Sequence, residues 1–263
     1  MPTVNQRGSG SARNMAERRG ALRDLAVAFA FASLAVVGTW WLLGLAASYV
    51  LIAVAVYAGL AILVLRALPG DLQGPGLGPA NRVTLGRAAL AVPILALALS
   101  PGPLGDALAW WTIVISTVVM VADGLDGYVA RRTGSGSRFG ARFDMELDAA
   151  LLMALSVLVW RDARVGSWVL SIGLLRYAFV AASWIWPELA ADLPPSQRRK
   201  VVCVIQGVVL LVALGPVIPD RVAVAVAALG LGALAYSFAV DVRWALAAGR
   251  EDRRSVSGAK KSK

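Results

Sequence analysis

Asp123, Asp126, Asp144 and Asp148 lie in the stretch VADGLDGYVARRTGSGSRFGARFDMELDAALL, which starts at Val121 inside one apolar run and ends in the next. An ionised carboxylate near lipid costs about 2.5–3.5 kcal/mol on insertion scales, so such residues usually mark a site. Asp123, Asp126, Gly127, Ala130 and Arg131 fall at offsets 0, 3, 4, 7 and 8, one face of an α-helix. Gly140, Asp144 and Asp148 fall at 0, 4 and 8, one face of a second helix. Between them, Arg132 to Phe139 (RTGSGSRF) reads as a Gly/Ser turn. Two antiparallel helices joined there point all four carboxylates into a shared groove, while Glu146 falls about 200° round from Asp144 and outside it. Four carboxylates so close repel one another unless cations neutralise them. Oxygen ligands without His or Cys favour Mg²⁺, Mn²⁺ or Ca²⁺. Gly127, Ala130 and Gly140 leave room on the same face for another helix or a flat ligand, although small residues also serve plain helix packing.

The elements that hold these residues are membrane helices. Of 263 residues 58% are hydrophobic and 16% charged, with several apolar runs of bilayer-spanning length. The expected fold is all-α, a polytopic transmembrane helical bundle of about eight spans. These run roughly Leu25–Leu43, Ala47–Leu65, Val83–Leu99, Ala107–Ala122, Ala149–Trp160, Ser167–Trp186, Val201–Val217 and Val222–Val240. Leu25 to Leu65 is nearly uninterrupted, and Gly44 with Ser48 is only a modest turn signal. Met1 to Arg23 is polar and basic, so no cleavable signal peptide is expected. One cysteine, Cys203, excludes an internal disulfide, and the absence of histidine argues against zinc and histidine acid–base chemistry. Arginines and lysines gather before span one, after spans two, four and six, and in the tail after span eight. Those loops share one side, which the positive-inside rule makes cytoplasmic; the Asp groove and both termini then face the cytoplasm. The net charge of +10 is thereby explained by orientation and anionic headgroups, and no nucleic-acid partner is expected.

The pattern D-x-x-D-G-x-x-A-R-x8-G-x3-D-x3-D resembles the signature of the CDP-alcohol phosphotransferase (CDP-alcohol phosphatidyltransferase) family, with every fixed position present. A chance match at one start position is on the order of 10⁻⁹. GPANRVTLGRAALAVP, with Asn81, Thr84 and Arg87, resembles the family's entry to its first core helix. QRRKVVCVIQ resembles a later segment in which Lys200 and Gln206 match, while Cys203 stands where a Thr is usual. The resemblance covers Gly78 to Val242 and six spans. It divides the chain into 1–77 (a polar segment and two extra helices), a core at 78–243, and a basic tail at 244–263 expected to be disordered.

The resemblance implies transfer of a phosphatidyl group from CDP-diacylglycerol to a hydroxyl acceptor, with release of CMP. It implies two divalent ions, Mg²⁺ or Mn²⁺, held by Asp123, Asp126 and Asp144, with Asp148 as general base sharing in coordination. Gly127, Ala130 and Gly140 would floor the cytidine, Arg131 would support the diphosphate, and Asn81, Thr84 and Arg87 would reach the nucleotide. The resemblance likewise implies a homodimer, while composition rich in Ala, Val and Arg over Lys and Ile fits a bacterial source, which would make the membrane a bacterial plasma membrane. Arg176, inside span six, and Arg198, Arg199 and Lys200, at the start of span seven, are candidates for a phosphorylated acceptor such as glycerol 3-phosphate or inositol phosphate. The trio also suits headgroup anchoring. Two other functions stay open: a divalent-cation transporter or channel, and a non-catalytic lipid-binding member of the same family.

Overall fold

The computed structural model describes the backbone of residues 4–68, 76–133, 137–186 and 196–261, and their side chains except 4–17, 126–131, 133, 138 and 247–261. Eight α-helices order these residues: α1 Val4–Leu43, α2 Ala47–Ala67, α3 Pro79–Leu99, α4 Asp106–Thr133, α5 Arg138–Arg161, α6 Leu170–Ile185, α7 Gln197–Leu214 and α8 Asp220–Lys261. A short 3₁₀ turn, Ser167–Val169, leads into α6, and no strand occurs among the described residues. Each apolar run of the sequence falls wholly or mostly on one of these helices.

Among the described residues, six helices are long and apolar enough to cross a membrane: Arg18–Leu43, Ala47–Ala67, Pro79–Leu99, Asp106–Leu125, Ser167–Ile185 and Asp220–Leu246. Helices α5 and α7 fall short for a visible reason. The first half of α5 carries Arg142, Asp144, Glu146 and Asp148, and α7 opens with Arg198, Arg199 and Lys200. The long hydrophobic stretch from Leu25 breaks at Gly44, whose φ of 59° supplies the left-handed residue of a helix end. The Leu45 N–H then reaches back to Trp40 O at 3.1 Å, closing the last turn of α1.

The chain divides after Ala154 into two compact units. In the first, α3 is the central helix, with 61% of its spanning segment buried against 28% or less in the other five. Ala88, Ala89 and Ala91 are almost fully enclosed there, letting α1, α2 and α4 approach its backbone closely. The Tyr57 hydroxyl of α2 donates to Leu25 O of α1, fastening the N-terminal pair together.

In the second unit α7 packs on α8. Gln206 Nε2 donates to Gly230 O at 2.9 Å, and a Cβ at Gly230 would meet Val209 Cγ1 at 2.8 Å, so the contact depends on a bare backbone. Arg164 donates to Gly215 O and Ile218 O, both at 3.0 Å, capping the end of α7.

Helix α8 runs on past residue 244 as far as Lys261. Once the apolar part of a helix is packed, each added residue needs no new nucleus, and this segment holds Ala, Arg, Glu and Lys without proline.

Candidate active site

Asp123 lies in the C-terminal half of α4, and Asp144 and Asp148 lie on successive turns of α5. Their carboxylates converge as the helical spacing predicts: one oxygen from each lies within 4.8 Å of the others. The side chains are 38%, 34% and 28% exposed, so the cluster opens to one side without being fully solvated. Glu146 is exposed, consistent with its place on another face of α5. Asp126 sits one turn beyond Asp123 on α4, but its side chain, like those of Gly127, Ala130 and Arg131, lies outside the described residues.

The third wall of the cluster comes from α3. Asn81, Thr84 and Arg87 follow one another at three-residue intervals, and all three are buried. Arg87 is only 2% exposed and reaches every described carboxylate: Nη1 lies 2.8 Å from Asp123 Oδ1 and 2.5 Å from Asp144 Oδ1, and Nη2 lies 3.0 Å from Asp148 Oδ1. Its Nε donates to Val119 O on α4 at 3.2 Å, one turn before Asp123. A planar guanidinium can bind several oxygens at once, which a lysine ammonium cannot match in geometry. The sequence pointed Arg87 towards a nucleotide; the structure brings it to the carboxylates.

Asn81 has a comparable internal role. Its Nδ2 donates to Leu77 O at 2.7 Å and approaches Ser137 Oγ at 3.4 Å, while Ser137 Oγ accepts the Gly140 N–H at 2.9 Å. A Cβ on Gly140 would collide with Asn81 Oδ1. The missing side chain at Gly140 therefore makes room first for Asn81. Thr84 Oγ1 donates to Ala80 O at 3.3 Å, a bond along its own helix.

The donor set suits a hard divalent cation: it is all oxygen, anionic and convergent. The three described aspartates would hold such an ion, and Arg87 already gives the group a compensating positive charge.

The candidate acceptor residues lie in the second unit. Arg198 and Arg199 meet Asp241 of α8: Arg198 Nη2 lies 2.5 Å and Arg199 Nη1 3.3 Å from its Oδ1. Arg198 also donates to the backbone oxygen of Ser237 and, at 2.6 Å, to its Oγ. Lys200 is exposed and Arg176 half-buried on α6. Sequence reasoning missed Asp241. Its signal was a lone acid within the apolar run ending SFAVDVRW, the same anomaly that exposed the other four.

Residues 77–240 match the model of the CDP-alcohol phosphatidyltransferase family. The chain is also similar to a phosphatidylinositol phosphate synthase of Corynebacterium glutamicum, 31% identical over 184 residues, covering 64% of this chain and 71% of that protein. No solved structure matches it.

Proposed function

The chain belongs to the CDP-alcohol phosphatidyltransferase family, and from that premise we propose that it transfers the phosphatidyl group of CDP-diacylglycerol to a phosphorylated polyol, releasing CMP. The observation that carries this reading is the convergence of Asp123, Asp144 and Asp148 within 4.8 Å on two helices of the family segment. The name of the corynebacterial relative favours inositol phosphate over glycerol 3-phosphate as acceptor. Arg198, Arg199, Lys200 and Arg176 are the candidates for its phosphate; the first two already share Asp241 as a counter-charge that would fix their orientation.

Two Mg²⁺ or Mn²⁺ ions on Asp123, Asp126, Asp144 and Asp148 would neutralise the donor diphosphate and stabilise charge on its oxygens. The chain's own residues do the rest. Asp148 accepts the proton of the acceptor hydroxyl, at Oδ2, since Oδ1 faces Arg87. The hydroxyl oxygen then forms a bond to the lipid-linked phosphorus as the bond from that phosphorus to the CMP oxygen breaks, and CMP leaves with the electron pair. Arg87 holds Asp144 and Asp148 at fixed separation, so little reorganisation is needed during the reaction. Gly127, Ala130 and Gly140 would receive the cytidine, with Arg131, Asn81 and Thr84 beside the nucleotide.

In this reading all eight helices cross the plasma membrane of a bacterium, both termini and the Asp groove face the cytoplasm, and the protein acts as a homodimer. The test is purified protein with CDP-diacylglycerol, Mg²⁺ and a panel of acceptor alcohols, with CMP and lipid product identified. CMP formed only with a phosphorylated polyol is the expected result. No CMP with any acceptor, together with metal flux into vesicles holding the protein, would replace the transferase reading by a transporter.

A further inference from the structure

Helices α1 and α2 precede residue 77, where the family match begins, so the family chemistry gives them no task. Asp24 on α1 supplies one. Its Oδ2 accepts the backbone N–H of Leu77 at 2.9 Å, and its Oδ1 accepts Arg82 Nε at 3.0 Å. These two residues bracket the entry of α3, the helix that carries Asn81, Thr84 and Arg87. The ion pair is the weaker half: Arg82 is 51% exposed, and pairs open to water contribute little. The Leu77 bond is directional and made by a carboxylate only 12% exposed. Gly76 shows how tightly the chain is pressed here. Its φ is 94°, and a Cβ would lie 2.6 Å from Asp24 Oδ2 and 3.3 Å from the carbonyl carbon of Gly20.

From Leu77 the contacts continue without a gap to the carboxylates. Leu77 O accepts Asn81 Nδ2 at 2.7 Å. Asn81 in turn packs its Oδ1 against Gly140 and meets Ser137 Oγ, which accepts the Gly140 N–H. Gly140 stands one turn before Asp144 and two before Asp148 on α5. We infer that α1 is a positioning element for the site and that Asp24 is the residue through which it acts. By fixing Leu77, Asp24 sets the place of Asn81, and Asn81 seats the start of α5 so that Asp144 and Asp148 meet Asp123 and Arg87.

The inference rests on the transferase reading for what the site does, and its test separates the two. Full-length wild type, Asp24→Ala, Asp24→Asn and Arg82→Ala are compared in two measurements: hydrogen exchange across residues 137–148, and calorimetric binding of CMP with Mg²⁺. In Asp24→Ala, exchange across 137–148 should rise and CMP should bind about tenfold more weakly, the scale of one charge-assisted hydrogen bond. Exchange in α7 should not change, which separates positioning from general loosening. Asp24→Asn keeps an oxygen for Leu77, and Arg82→Ala removes the exposed ion pair while leaving the bond from Leu77 N–H to Asp24, so both should stay within about twofold of wild type.

Unchanged exchange at 137–148 in Asp24→Ala overturns the inference, as does unchanged CMP affinity beside raised exchange. Arg82→Ala reproducing the full effect also overturns it, because the ion pair would then be the whole contact. Should Asp24→Ala fail to fold, Gly76→Ala, which pushes the chain away from Asp24, is expected to give the same two changes, and their absence counts equally against it. If wild type binds no CMP, the transferase reading falls while exchange alone decides the role of Asp24.

Discussion

Arg87 explains how three carboxylates can share so small a space. Each brings a negative charge within 4.8 Å of the other two, and one enclosed guanidinium touches all three. Removing one partner of an enclosed ion pair leaves its charges uncompensated, at a cost of several kcal/mol when burial is complete. Because these carboxylates are about a third exposed, Arg87→Ala is expected to lose about 2 kcal/mol instead. Arg87→Lys should fall between, since it keeps the charge but not the fork. Thermal unfolding measures both, and an Arg87→Ala protein that melts within about 1 °C of wild type would contradict this role. Asp148 makes a different prediction, about chemistry rather than stability. Asp148→Asn preserves shape and an oxygen for Arg87 but cannot take a proton, so turnover should fall by about 10²–10⁴ while CMP affinity changes little. Loss of CMP binding in step with turnover would make Asp148 a binding residue and leave the base unassigned.

At the scale of elements, the contact of α3 with the start of α5 is where a small change should travel furthest. Gly140→Ala places a methyl against Asn81 Oδ1, so Asn81 must leave Leu77 O or α5 must move. Turnover is expected to drop about tenfold, and combining Gly140→Ala with Asn81→Ala should cost clearly less than the two separate losses added together, because both act on one contact. Strict additivity in CMP-release assays would show that the residues do not interact. The same contact shows what could be read beforehand. The meeting of Asp123, Asp144 and Asp148 was legible because helical period alone puts such residues on one face, and a short turn brings two faces together. The partner of Arg87 was not: the face of α3 it occupies is visible in the spacing, but which helix packs there depends on contacts 57 and 61 residues away. At Gly140 the sequence leaves room for either another helix or a flat ligand, since a glycine does not announce which neighbour fills its gap. Asp24 gave no signal at all, because the group it binds at Leu77 is a backbone N–H that every residue but proline carries.

For the whole molecule, the number of crossings is the property on which the sidedness of the second unit depends. Six helices qualify by length and composition, and α5 and α7 do not. If only those six cross, the turn before Ser167 stays cytoplasmic and the segment ahead of Gln197 lies outside, together with Arg198, Arg199 and Lys200. If all eight cross, both positions are reversed. Charge favours eight, because three consecutive cations at the start of α7 belong inside by the positive-inside rule. The discriminating experiment places single cysteines at two sites in a Cys203→Ser background and treats intact cells with a membrane-impermeant maleimide. Ser167→Cys should label from outside, and Ser196→Cys only after permeabilisation. The opposite pattern would leave six crossings and put Arg198, Arg199 and Lys200 on the face away from the aspartates. No cytoplasmic phosphorylated acceptor could then use them, and the acceptor pocket would have to be sought elsewhere.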